Sequence, residues 1–383
     1  MKYIVIIGDG MSGWTTDSKE GKTALELANI PNLDLIARIG EIGLAKNTPD
    51  SLPPGSDVCN LSLFGYDPEV YYTGRAPIEA VAQSVELADS DTVFRANLVT
   101  IEDNKMKDFT AGHISSEDGE KAISSLNAMI ADVDNMEFYA GVSYRNLLKI
   151  TDTSFNIETT PPHDITGRDI SGYLPKGSDS SLIKDIMNKS ATVMPEDISA
   201  NMVWLWGQGT KLSIPTFESK HGLKGAVITA VDLVKGLGFA AGMDYITVPG
   251  ITGFVDTNYV GKAQYALDAL NDYDIVFIHV EAPDEAGHTG DLDLKVKAIE
   301  DFDEKVIGTI LSEIKQEEYK LLILPDHPTP IEIKTHSRDD VPYLIYDNKN
   351  LKDNKGAEYT ENCAKTYSDE TVIGYKLMSR FVS

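Results

Sequence analysis

The 383-residue chain is poor in cysteine: Cys59 and Cys363 stand far apart, in neither zinc-like nor redox spacing. That excludes a disulfide framework and thiolate metal chemistry, and a reducing compartment is expected. Positive charge is also scarce, since 34 Lys and Arg against 60 Asp and Glu leave a formal net charge of −26. So acidic a surface repels nucleic acid and anionic lipid, so neither nucleic acid nor a membrane is an expected partner. It would repel a phosphorylated substrate as well, unless bound cations and local Arg/Lys clusters inverted the field. No apolar run approaches membrane-spanning length. The short run Tyr3 to Ile7 reads as a buried strand and not as a signal h-region, so a cytoplasmic location is expected.

What is present is ordinary globular material, 42% hydrophobic and 25% charged, so the chain should fold throughout. Its length exceeds what one core usually organises, and two domains are expected. Short apolar runs bounded by turn residues (Tyr3 to Ile7, Ile275 to Val280, Leu321 to Leu324, Tyr343 to Tyr346) alternate with helix-period segments (Gly261 to Leu270, Leu294 to Ile314, Thr371 to Phe381). That is the pattern of an α/β fold with a mostly parallel sheet. The middle differs, with alternating segments at Val93 to Ile101 and Met136 to Val142 around a helix-period stretch from Ser116 to Ile130. A smaller α+β module is therefore predicted at 74–217, inserted into a core built from 1–73 and 218–383.

Three strand candidates run into acidic side chains set in turn chemistry: Gly-Asp9-Gly, Glu-Ala-Pro-Asp284 and Leu-Pro-Asp326-His327. In a parallel sheet such ends converge on one crevice. One Asp after a strand is commonplace as a cap, but three with histidines beside them are not. Asp284 and His288 share one face of a helical turn, Asp326 and His327 are adjacent, and His336 follows in a Thr-His-Ser-Arg loop. This oxygen and nitrogen set suits Zn²⁺ or Mn²⁺. Pro-Pro-Gly-Ser56-Asp57 leads into a helical segment, where Ser56 alone would read as a cap. Beside metals, a serine at a helix N-terminus reads as an activated nucleophile facing an anion site.

Gly-Asp9-Gly, Pro-Pro-Gly-Ser56-Asp57, Gly65-Tyr-Asp-Pro, Tyr72-Thr-Gly-Arg75, Asp284-Glu-Ala-Gly-His288 and Asp326-His327 together resemble the archaeal-type cofactor-independent phosphoglycerate mutases of the alkaline-phosphatase superfamily. The resemblance runs nearly end to end and extends to a bacterial subgroup proposed to be homoserine kinases. One departure is Asp340, in His-Ser-Arg-Asp-Asp-Val-Pro, where the family usually has proline. The resemblance implies an alkaline-phosphatase-like core with helices on both faces of its sheet and an inserted substrate-binding domain. It also implies two divalent metal ions (Mn²⁺ or Zn²⁺, with Co²⁺ and Mg²⁺ as alternatives), one on Asp9, Ser56, Asp326 and His327, the other on Asp284, His288 and His336. Ser56 would be the nucleophile, with Arg168 and Lys224 assisting. The substrate, a phosphoglycerate, would meet Asp57, Arg75, Arg95, His113, Arg145, His163, Asp164, Arg168 and Lys224. Arginine suits this task because its planar fork bonds carboxylate or phosphate in a bidentate manner. Homoserine kinase and a plain phosphatase are the alternative activities. Trp204 and Trp206 read as packing in preference to a sugar platform, and His221 and His279 receive no role.

Overall fold

Apolar at nearly every position, the run after Met1 forms the strand Lys2–Gly8, which pairs in parallel with Ile275–Val280 on one side and Tyr319–Leu324 on the other. Strands of this composition suit a sheet covered on both faces. In the computed structural model they are so covered. Ile4, Ile6, Val276 and Ile278 pack with the helices Pro31–Ile39, Tyr259–Ala269 and Leu292–Phe302. On alternate positions, Phe277 stacks on Phe64 at 4.4 Å and Tyr3 meets Phe381 edge-on at 5.5 Å. The structure describes residues 1–16, 21–368 and 370–383. They divide into two units, Met1–Tyr72 with Ser213–Ser383, and Thr73–Leu212.

The first unit holds an eight-stranded sheet in the order Val372–Ile373, Glu41–Lys46, Val341–Asp347, Tyr319–Leu324, Lys2–Gly8, Ile275–Val280, Gly225–Ile228, Asp244–Tyr245. Only Val341–Asp347 runs antiparallel to its neighbours. The pairs Gly8↔Val280 and Ile7↔Leu324 bring three strand ends level, so the segments carrying Asp9, Asp284 and Asp326 leave the sheet at one edge. The helix expected over Leu294 to Ile314 is instead Leu292–Phe302, a π turn at Asp303–Ile307, and Gly308–Glu313. Asp303 explains the interruption. Its carboxylate accepts from the Leu33 and Asn32 backbone N–H groups at 2.7 and 3.2 Å, capping the helix Pro31–Ile39, whose own cap residue Ile30 has no side-chain acceptor.

In the second unit, Thr92–Glu102 is flanked by Met202–Thr210 and Arg145–Ile150, all antiparallel, with Met136–Val142 beyond and Lys105–Asp108 folded back on its end. Helices Ser116–Met129 and Ser180–Ser190 supply Ile123, Leu126, Ile183 and Met187 to its core. Trp204 and Trp206 belong to that core. Their indole N–H groups donate to Thr160 O at 2.8 Å and Asn97 Oδ1 at 3.0 Å, so they are packing residues here and not an exposed platform. Among the described residues no helix is long and apolar enough to cross a membrane.

Candidate active site

Asp9, Asp326 and His327 present ligand atoms within 4.8 Å of one another, and so do Asp284, His288 and His336. The two groups are contiguous, since the His327 and His336 rings lie 3.9 Å apart. Their polypeptide supports are short. Asp326 accepts from Gly10 N and His327 N through Oδ1, at 3.2 and 2.8 Å, and from Asn60 Nδ2 through Oδ2 at 2.8 Å. Asp284 sits in the first turn of Ala282–Thr289, with His288 Nε2 3.1 Å from its Oδ2 and His336 Nε2 3.7 Å from its Oδ1. Thr329 Oγ1 donates to Asp284 Oδ1 and lies 3.3 Å from His327 Nδ1, joining the groups. The His336 loop is held by Asp339, which accepts from Ser337 Oγ at 2.6 Å and Trp14 Nε1 at 2.7 Å. Asp340, standing where proline is usual, accepts from Thr371 Oγ1 at 3.0 Å.

Ser56 is the first residue of the helix Ser56–Leu63, and Gly55 occupies the cap with no side-chain bond. The capping reading of Ser56 therefore fails. Its hydroxyl instead lies 3.1 Å from His327 Nε2. Asn60, one turn later on the same face, donates to Ser56 O at 2.9 Å as well as to Asp326. Asp57 is buried and accepts from Tyr72 Oη.

The electrostatics of this pocket ask for cations. Burial, then the neighbouring carboxylates of Asp326 and Asp284, push the Asp9 carboxyl well above its usual range. Burial acts on Asp284 in the same sense, but the imidazoles of His288 and His336 outweigh it and hold that carboxyl well below. Burial would lower His288, yet Asp284 lifts it to about 9. Burial pushes His327 down to about 4, so it is neutral and can offer a lone pair. Among the described residues, Asp9 Oδ1 and His336 Nε2 are buried and have no hydrogen-bond partner. Buried polar atoms left unpaired among carboxylate oxygens and imidazole nitrogens fit divalent metal ions.

His279, given no role from the sequence, lies 3.1 Å from Asp9 Oδ2 and 3.4 Å from Thr229 Oγ1. The available signal was a histidine inside an otherwise apolar strand. Lys224 is not brought to the clusters. It precedes the strand Gly225–Ile228, whose Gly225 pairs with Ile275 at the opposite edge of the sheet, and its ammonium lies over the Tyr273 ring at 4.6 Å. The strand Ile275–Val280 that lies between is roughly 20 Å long.

In the second unit, Arg75 Nε and Arg95 Nη1 each reach Glu79 Oε1 at 2.9 Å. Both guanidinium groups lie over the Trp206 ring, at 5.7 and 4.8 Å. Burial would raise the Glu79 carboxyl, but Arg95 and Arg75, with Arg145 also contributing, hold it below its usual value. His163 meets Trp206 edge-on at 5.4 Å and lies 3.7 Å from Asp164. The structure thus gathers Arg75, Arg95, Arg145 and His163 around Glu79 and Trp206. Arg168 is exposed, with Nη1 3.3 Å from Tyr173 Oη. His113 is also exposed, on a left-handed turn at φ 53°.

The sequence matches the metalloenzyme superfamily over residues 1–368. It is 48% identical to the 2,3-bisphosphoglycerate-independent phosphoglycerate mutase of Methanosarcina barkeri over 379 residues, 95% of each chain. The solved structure of a Pyrococcus horikoshii protein superposes with a TM-score of 0.81 at 28% identity, covering 99% of this chain and 96% of that one. A cofactor-independent phosphoglycerate mutase from Thermoplasma acidophilum shares the fold, with a TM-score of 0.61 at 23% identity over 99% of this chain and 98% of that one. Identity of this extent along nearly the whole length, on this fold, means that the chain belongs to the 2,3-bisphosphoglycerate-independent phosphoglycerate mutases of the metalloenzyme superfamily.

Proposed function

We propose that this protein interconverts 3-phosphoglycerate and 2-phosphoglycerate through a phosphoserine at Ser56. The observation that carries this reading is the Ser56 hydroxyl, which leaves its helix uncapped and turns to His327 inside a buried carboxylate and imidazole cluster. Two divalent ions, held by Asp9, Ser56, Asp326 and His327 and by Asp284, His288 and His336, would lower the serine's pKa and neutralise the transferring phosphoryl group. Ser56 Oγ attacks phosphorus, the bond from phosphorus to the glycerate oxygen breaks, and that oxygen takes up a proton. The glycerate then turns. Its neighbouring hydroxyl loses a proton and attacks the same phosphorus, the phosphoserine bond breaks, and Ser56 is restored.

The substrate's anionic groups need cations from outside the carboxylate-rich clusters. Arg75, Arg95 and Arg145 all act on the carboxylate of Glu79, and their guanidinium groups are suited to carboxylate or phosphate. Arg168 is assigned to the same task, His113, His163 and Asp164 to orienting the substrate, and Asp57 to binding it beside Ser56. Lys224 is left out. Two free thiols accord with a cytoplasmic enzyme of a small metabolite.

The test is an assay of the purified, Mn²⁺-loaded protein with 3-phosphoglycerate, and separately with homoserine plus ATP. Formation of 2-phosphoglycerate without added bisphosphoglycerate is expected. Phosphorylation of homoserine with no mutase turnover would overturn the reading.

A further inference from the structure

The helix Leu292–Phe302 turns a stripe of buried positions toward the core, and Lys295 occupies it together with Ala298, Ile299 and Phe302. Helical spacing asks for an apolar side chain there. Lys295 is 1% exposed. Among the described residues no carboxylate forms an ion pair with it. Its ammonium donates instead to two backbone carbonyls, Ser12 O at 3.0 Å and Thr329 O at 2.7 Å. A buried ammonium is costly, and a local rule broken in this way points to function more often than to packing.

Both carbonyls belong to turns that carry the acidic clusters. Ser12 follows Asp9 by three residues, and Thr329 follows His327 by two. Ser12 O also accepts from Thr329 N at 3.1 Å, so the two turns meet at one acceptor that Lys295 shares. The Thr329 hydroxyl then donates to Asp284, in the other cluster. We propose that Lys295 is a positioning residue for the metal centre: it ties the Asp9 turn to the Asp326–Thr329 turn and so fixes the aim of Thr329 at Asp284. The proposal rests on the two-metal reading. Groups that orient metal ligands through such contacts typically change affinity by about ten-fold to a hundred-fold when removed.

Lys295→Met keeps the length and the apolar stem while removing the donors. Ile299→Ala, on the same stripe one turn later, lowers stability by removing apolar volume from the core while leaving every hydrogen-bond donor to the two turns in place. Metal-free parent, Lys295→Met and Ile299→Ala are titrated with Co²⁺ alone, followed by calorimetry and by visible absorption. The parent should take up two ions. Lys295→Met should bind at least one of them about ten-fold or more weakly, with an altered absorption spectrum. Ile299→Ala should melt earlier yet bind as the parent does. Parent-like affinity and spectrum in Lys295→Met, or an equal loss in both variants, would overturn the inference alone. A parent that takes up fewer than two ions would overturn the two-metal reading and this inference with it. If Lys295→Met does not fold, Lys295→Gln is judged by the same criteria, since its shorter amide cannot reach both carbonyls.

Discussion

The imidazole rings of His327 and His336 lie 3.9 Å apart, although one leaves a strand end and the other sits in a loop nine residues later. Each belongs to a different group of ligand atoms. Each group keeps carboxylates of its own, Asp9 and Asp326 in one and Asp284 in the other.

Losing one carboxylate should therefore empty one site and leave the other. Asp284→Ala or His336→Ala is expected to lower metal content from two ions to about one, and chelation of the parent should abolish turnover. Elemental analysis of the dialysed proteins checks this. Two full equivalents in both variants would refute the assignment of ligands.

Ser56→Ala removes a hydroxyl that makes no helix cap, so the fold should be retained along with the ion on Asp284, His288 and His336. Transfer should vanish. After quenching with labelled phosphoglycerate, the parent should carry label at position 56 alone, and label elsewhere would identify another nucleophile.

Metal uptake by the Asp284, His288 and His336 group should depend on pH in a defined direction. In the metal-free protein His288 has its pKa raised to about 9, chiefly against burial by Asp284. Between pH 7 and 9 an incoming ion must displace that proton, so apparent affinity should rise with pH and level off above about 9. The stability that the charged His288 gives the metal-free fold has the opposite sign, being full below about 6.5 and lost as pH rises through 9. Calorimetric titrations at several pH values, in buffers of different ionisation enthalpy, would show proton release on binding. A flat profile would contradict it.

Glu79 stands between two guanidinium groups with side chains 23% and 4% exposed, itself 6% exposed. Glu79→Ala would leave Arg95 buried without its partner, and a loss of about 3–5 kcal/mol is expected. Chemical unfolding followed by the tryptophans of that unit measures it. A change below about 1 kcal/mol would mean that water or a neighbour replaces the carboxylate.

Arg168→Ala should weaken retention of the glycerate while it waits for the phosphoryl group. One charge-assisted pair is worth roughly 2 kcal/mol, on the order of thirty-fold in retention. Inorganic phosphate released per turnover should then rise with metal content unchanged. Parent-like phosphate release and KM would mean that Arg168 is a solvated loop charge.

The acidic clusters were legible in the sequence because parallel strands announce themselves as apolar runs, and a residue just past such a run has little freedom in where it can be. Asp9, Asp326 and His327 follow from that rule, and Asp284 with His288 from helical spacing. A change of period in the middle of the chain was legible as well, and the structure describes Thr73–Leu212 as a unit of its own. Strand order was not, and it decided the rest. Lys224 stands close in sequence to a core strand but before it, and the parallel direction of that strand puts it at the far edge of the sheet. His279 and Lys295 look like misplaced polar residues until the fold shows a carboxylate beside one and two turns beneath the other. Sequence carries the chemical type of a side chain and its phase along one element. Which atoms it meets across elements depends on pairing and packing over hundreds of residues, and only the folded chain contains that information.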